Sequence, residues 1–322
     1  MAEISGNNQR AFEGQPLPNP IKVKVTDSKG LAVKGVPVHF ELAANHGTAT
    51  PATVYTDVNG FAQTNWTLGS RLAPVQHMDV SARRGDLSEI ISSPIGFTAI
   101  IDTPITCTTM IDKDGNSYPG LIIGGRCWDT RNLTSTKYGV SGNPPITQVQ
   151  DSSAWVLASQ LGTEAWCNFQ SDPAYGVRNG KLYNWYAVNN ANVCPVGWHV
   201  PTRTEYQAMF DSLGGNAAAS KKIKMNVLYP NNASVPDTGW GLATTQPPLD
   251  ANNISGFSAA SVGSRSEISI YSATDYQDTY FWTSSPVNAN TAYAVELKRG
   301  ISSVTFVTRP KGRGYSVRCI KN

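Results

Sequence analysis

One turn sequence appears twice in the first hundred residues, as "TDSKG" at 26–30 and "TDVNG" at 56–60, and it restricts how this part can fold. Each copy puts a Gly where a positive φ costs little, so each reverses the chain within a few residues. The runs between the turns alternate with period two. In "IKVKVTD" Ile21, Val23 and Val25 share one face, and in "VPVHFEL" Val36, Val38, Phe40 and Leu42 do the same. A chain that alternates and reverses in this way buries one side of each strand against a second sheet. About seven short strands in roughly a hundred residues predict an all-β sandwich. No nucleophile–base pair or carboxylate cluster lies here, and Arg83–Arg84 reads as a solvated hairpin end.

Beyond "GFTAIIDTPI" the texture changes. All five cysteines (Cys107, Cys127, Cys167, Cys194 and Cys319) and seven of the eight tryptophans lie after residue 100. A chain of 322 residues is also longer than one core comfortably fills. Two domains are expected, over 1–101 and 102–322. The net charge of +3 is small and the basic residues are scattered, which argues against a nucleic-acid partner. No apolar run reaches the ~20 residues of a membrane span, so no direct membrane insertion is expected. The opening "MAEISGNNQRAFEG" has no charged segment followed by an apolar one, and no secretory signal is read in it.

The best helix signal is "VPTRTEYQAMFDSLGG". Thr202 is placed to cap it, Glu205 sits in the capping-box position, and Tyr206, Met209, Phe210 and Leu213 form the apolar stripe. Gly214–Gly215 is expected to end it. A short helix is expected around "GKLYNWYAVNNA", with strands and long loops elsewhere, so the second domain reads as α+β. "DKDGN" at 112–116 resembles the start of a calcium loop. However, its Gly comes early, the expected Glu is missing and Pro119 intrudes, so a plain Asp-Gly hairpin turn is expected. His199 has no second ligand at a useful spacing and reads as a hydrogen-bonded structural histidine. With no CxxC pair, Ser/His/Asp set or phosphate loop, the sequence predicts no metal, no cofactor and no enzymatic activity.

The ordered motifs carry two resemblances. "IKVKVTDSKGLAVKGVPVHFEL" followed by "ATVYTDVNGFAQTNWTLG" resembles the bacterial Ig-like domain of the invasin and intimin type, which implies a presenting module over roughly 3–100. "MIDKDGNSYPGLIIGGRCW", "GKLYNWYAV", "CPVGWHVPTRTEYQAM", "ISGFSA", "YFWTSS" and "GRGYSVRC" together resemble the Fibrobacter succinogenes major paralogous domain, over about 105–322. That family implies a C-type lectin-like fold. It also implies a Cys194–Cys319 disulfide, and in "GYSVRC" Tyr315 and Val317 alternate inward as a terminal strand. Pairing Cys127 with Cys167 would leave Cys107 over, and in a reducing compartment all five would be thiols. Formylglycine-generating oxidases share the fold but carry two neighbouring cysteines near the C-terminus, where this chain has only Cys319.

The C-terminal segment also resembles the variable proteins of diversity-generating retroelements, whose rewritten codons fall on solvent-facing positions. Between "GFSA", "FWTSS" and "GYSVRC" lie stretches rich in Ser, Thr, Asn, Asp and Tyr, a mixture that also builds antibody paratopes. On this reading Tyr271, Asp275, Tyr276, Asp278 and Tyr280 occupy one surface loop, and Ser284, Asn288 and Asn290 the next. If Tyr293, Val295 and Leu297 point inward, Glu296 and Lys298 point out, and Ser303 and Thr305 flank an inward Val304. The implied function is binding of a protein or glycan receptor by a phage receptor-binding protein or bacterial adhesin. The chain would lie on an extracellular surface or a virion. A homo-oligomer is compatible with this, although no heptad or collagen-like repeat is present. A structural surface module without a specific ligand is the rival reading, and an oxidase the third.

Overall fold

The structure is a computed structural model describing residues 1–70, 72–83, 93–140, 142–190, 192–225, 240, 251–272 and 278–322. The chain packs as two units, Met1–Thr103 and Pro104–Asn322. It is β-rich, with several sheets and few helices.

The first unit contains β1 (Ala2–Ser5), β2 (Gln9–Phe12), β3 (Ile21–Lys24), β4 (Pro37–Leu42), β5 (Thr48–Thr50), β6 (Thr53–Tyr55), β7 (Phe61–Thr67), β8 (Val75–Ala82) and β9 (Ile95–Asp102). They form two sheets, β1-β3-β7-β5 and β2-β9-β8-β4-β6. Ile21, Val23 and Trp66 from the first sheet and Val38, Phe40, Met78, Val80 and Phe97 from the second make one core, so the sheets pack face to face. The repeated turn works in the same way in both copies. Asp27 Oδ1 accepts from the backbone N–H groups of Lys29 and Leu31, and Asp57 Oδ1 accepts from those of Asn59 and Phe61. Gly60 combines a φ of 77° with a close approach: a Cβ there would meet the Val25 carbonyl oxygen at 2.5 Å. Arg83 lies 3.6 Å from Glu41 in an exposed pair, and Arg84 falls outside the described residues.

The second unit begins with β10 (Ile105–Ile111), β11 (Ser117–Ile123) and β12 (Arg126–Asp129). Next come α1 (Ser152–Leu161), β13 (Trp166–Cys167), α2 (Pro173–Asn179), β14 (Leu182–Tyr183), α3 (Trp185–Asn189) and β15 (Trp198–His199). It closes with α4 (Arg203–Ser212), α5 (Gly215–Ile223), β16 (Asp278–Pro286), β17 (Thr291–Lys298), β18 (Thr305–Pro310) and β19 (Ile320–Lys321). One sheet runs β10-β11-β12-β19-β15, a second runs β16-β17-β18, and β13 pairs with β14.

α4 has the expected capping box: Thr202 Oγ1 accepts from the Glu205 N–H and Glu205 accepts from the Thr202 N–H. Tyr206, Met209 and Phe210 are buried, whereas Leu213 is the half-buried C-cap. The Gly pair divides two helices, since Gly215 opens α5. α1 was not anticipated in the sequence, although Asp151 caps it and Gly162 closes it in a left-handed conformation. The 112–116 segment is a hairpin turn built like those at 27 and 57. Asp112 Oδ1 accepts from the N–H groups of Asp114 and Asn116, and the Asp114 carboxylate is taken up by Thr136, Ser135 and Lys137.

β16 and β17 are covered on both faces. Tyr280, Trp282, Ala292 and Ala294 enter a core with Trp185, Tyr315, Cys194 and Cys319. Phe281, Val295 and Leu297 enter another with Trp128, Phe210 and Phe257. Burying a side chain such as Phe281 or Leu297 contributes about 2–3 kcal/mol. The C-terminal segment differs from the alternating strand expected of it. Tyr315 and Val317 are buried, but so are Ser316 and Arg318, and only Ile320–Lys321 is regular strand. Arg318 explains why the other side can also be buried. Its guanidinium donates to Asn132 Oδ1 (2.8 Å) and to the carbonyls of Asp129 (3.2 Å), Phe257 (2.8 Å) and Ser258 (3.0 Å). The Asp129 carboxylate lies 3.8 Å away. Burial pushes the Asp129 carboxyl up to about 7, against the opposing pull of Arg318.

Cys194 and Cys319 form a disulfide, as the family resemblance implied. The second bond is a correction: Cys107 pairs with Cys127, and Cys167 is a buried free thiol. The reason lies in the sheet, where β10 and β12 flank β11 and the bond passes over Gly120. A Cβ at Gly120 would come within 2.8 Å of Cys107 Sγ and 3.2 Å of Cys127 Sγ.

Candidate ligand-binding face of the C-terminal sheet

Cross-strand register decides which of the expected surface residues meet. Asp278 of β16 pairs with Lys298 of β17, Tyr280 with Glu296, and Glu296 in turn with Thr305 of β18. Asp278, Tyr280, Glu296, Lys298 and Thr305 therefore gather at one end of the three-stranded sheet. Arg309 joins them by reaching back along its own strand to Glu296.

Glu296 is the hub. Its carboxylate lies 3.0 Å from Arg309 and 3.1 Å from Lys298, and it accepts from Thr305 at 3.3 Å. Burial alone would raise its pKa, but Lys298, Tyr280 and Arg309 together hold it below the usual carboxylate range. The expectation that Glu296 points to solvent is corrected here. Its face of β17 packs into the core that holds Ala292, Ala294, Tyr280 and Tyr315, and Glu296 is only 9% exposed. Tyr280 is corrected in the same way. It belongs, like Asp278, to β16 rather than to a loop, and its ring stacks on Tyr315 at 4.6 Å between centroids. Its hydroxyl donates to Asp278 at 3.2 Å, while burial pushes the Asp278 carboxyl up against that bond. Lys298 and Thr305 remain exposed, and Arg309 is partly so. Asp278 Oδ1 and Arg309 Nε are buried without a hydrogen-bond partner, and the Tyr315 hydroxyl lies beside Arg309 and Arg313.

The other expected residues lie elsewhere. Ser284 belongs to β16 rather than to a loop, whereas Asn288 and Asn290 sit at the β16–β17 hairpin, at the opposite end of β17. There Asn288 Oδ1 accepts from the N–H groups of Asn290 and Thr291 and so shapes the turn. Pro286 through Asn290 are exposed, and Ser284 is half-buried. Ser303 is half-buried beside the buried Val304. Tyr271 packs edge-on against Phe169, with Arg265 5.1 Å from its ring centroid, and donates to the Asn168 carbonyl. Asp275 and Tyr276 lie outside the described residues. Sequence reading did not single out Arg309 and Arg313. Both stand in the polar "TRPKGRG" run, but only strand register reveals that Arg309 meets Glu296, and Arg313 reaches Glu267 at 2.7 Å.

His199 has a structural role, with Nε2 3.0 Å from Glu205 and Nδ1 2.5 Å from Asn322 Oδ1. Among the described residues no group of three or more His, Cys, Asp or Glu side chains is placed to hold a metal ion. No described helix is long and apolar enough to cross a membrane.

Residues 121–321 match the Fibrobacter succinogenes major domain. The chain belongs to this family. The family match takes in the whole three-stranded sheet, the Cys194–Cys319 bond and the Arg318 anchor. No curated protein and no solved structure matches the chain.

Proposed function

We propose that this is a recognition protein whose major domain binds a protein or glycan receptor through the charged end of its C-terminal sheet. The observation that carries the reading is the convergence of Asp278, Glu296, Lys298, Thr305 and Arg309 on one patch. The patch mixes carboxylate, ammonium, guanidinium and hydroxyl groups over a stacked tyrosine pair. Rigid aromatics beneath adaptable polar groups suit a binding surface.

In the fuller form of the proposal, the first unit is an immunoglobulin-like presenting module and the second has the C-type lectin-like fold. The segment over about 265–318 is diversified by a retroelement, and the protein acts as an adhesin or a phage receptor-binding protein at an extracellular or virion surface. Support comes from the contrast between buried Phe281, Trp282, Tyr315 and Cys319 and the exposed run 286–290. A diversified gene requires a nearby reverse transcriptase and a near-identical template repeat, with alleles differing at template adenines. Flanking DNA without either element removes diversification and leaves receptor binding to be judged separately. For receptor binding, the full chain and its Lys298→Glu variant are compared on glycan arrays and whole bacterial cells. Selective binding lost in the variant supports the reading, and no selective binding by the full chain favours the structural-module alternative.

A further inference from the structure

A second site lies apart from the sheet and shares no residue with it. A cavity of ≈ 430 Å³ opens between the loop after β12 and the end of α2. That volume is in the range of small-ligand sites. Among the described residues its charged lining is one-sided: Arg131, Arg178 and Arg318 are present and no carboxylate is. Arg318 is buried beside Asp129 and makes four hydrogen bonds to fixed acceptors, so it supplies rigidity. It ties Asn132 to the 257–258 backbone, and Asn132 in turn donates to the Asn179 carbonyl at 2.8 Å. The cavity walls are thereby fixed before anything binds, which reduces the ordering cost of binding.

The two remaining guanidinium groups are exposed at this cavity, and among the described residues neither is in an ion pair. Arg131 makes one long bond to the Ser117 carbonyl, and Arg178 lies near the Tyr175 ring. Asn179, 7% exposed, lines the same cavity and has a buried amide nitrogen with no acceptor. Thr130 and Ser258 also line it, but their hydroxyls already donate to the Pro119 and Gly256 carbonyls. Two exposed guanidiniums without an ion pair and a neighbouring amide that lacks an acceptor, with no carboxylate among the described lining residues, form a donor set that matches an oxyanion.

We propose that this cavity binds a small oxyanion: a carboxylate, sulfate or phosphate group carried on a polar ligand. The test titrates the full chain with sodium glucuronate, sodium sulfate, sodium phosphate and sodium chloride at matched ionic strength, following NMR shifts and melting temperature. A saturable response to at least one oxyanion and none to chloride is expected. Response to glucuronate alone identifies a carboxylated saccharide, and response to sulfate and phosphate identifies a tetrahedral group. Arg131→Gln and Arg178→Gln, singly and together, should weaken binding at least about tenfold in the double variant. Lys29→Gln with Lys34→Gln, an equal charge loss in the other unit, should leave it unchanged. Both arginines are exposed, so the variants should keep the wild-type fold by circular dichroism. An equal chloride response, no saturation with any anion, or unchanged binding in the arginine double variant overturns the proposal.

Discussion

Replacing Glu296 by Gln tests whether the charged cluster is an organised unit or a chance meeting of surface groups. Gln keeps the shape and one acceptor oxygen but removes the charge that Arg309 and Lys298 share. The Lys298 contact is worth little, because that side chain is 45% exposed and well screened. The Arg309 contact is more enclosed, with the carboxylate side chain 11% and the guanidinium 31% exposed. A charge-assisted bond of this kind contributes about 1.5–3 kcal/mol, and its neutral replacement retains some of that. The expected loss is therefore about 1–2 kcal/mol by urea denaturation. The pH dependence has a definite sign. The folded Glu296 pKa is lowered, so its contribution is complete above the unfolded value of about 4.3 and lost as pH falls through the folded value. The wild-type advantage should be full at neutral pH and shrink below about pH 4. Combining Glu296→Gln with Arg309→Met should give a coupling of about 1 kcal/mol in a double-mutant cycle. A variant within about 0.3 kcal/mol of wild type at pH 7, with no coupling to Arg309, would refute the reasoning.

The remaining predictions concern the frame around the cluster. The Cys194–Cys319 bond closes a separation of 125 residues and Cys107–Cys127 one of 20. Chain entropy then predicts losses of about 5 and about 3 kcal/mol for the respective double Ala variants, read as a larger drop in melting temperature for the first. Arg318→Ala strands the Asp129 carboxylate and several buried acceptors and should cost about 3–5 kcal/mol in chemical denaturation. Ala substitution at Val287 or Asn290 in the exposed hairpin should change stability by no more than about 0.5 kcal/mol, whereas Trp282→Ala should cost about 3–5.

How much of this was legible in the sequence depended on whether a pattern was local. The α4 capping box could be read because Thr202 and Glu205 are three residues apart and bond each other's backbone. The three Asp-centred turns were equally local. α1 escaped because only Trp155 and Ala158 are buried while Leu157 and Leu161 are exposed, so no amphipathic stripe marks it. Glu296 was misjudged because period-two alternation assumes one wet face, and β17 has none at that point. Cys107–Cys127 depends on which strands flank Gly120, a relation that spacing along the chain does not contain. The Arg309–Glu296 pair likewise exists only once β17 and β18 are in register.

The central claim is that the end of the sheet carrying Lys298 and Thr305 recognises a receptor. Its most direct test is the affinity of the full chain for a receptor-bearing cell or glycan found by screening, measured beside a Lys298→Glu, Thr305→Ala variant of unchanged fold. The account predicts that the double variant loses at least about tenfold in affinity, whereas Lys29→Gln in the other unit loses nothing. Equal affinity in all three proteins would contradict it.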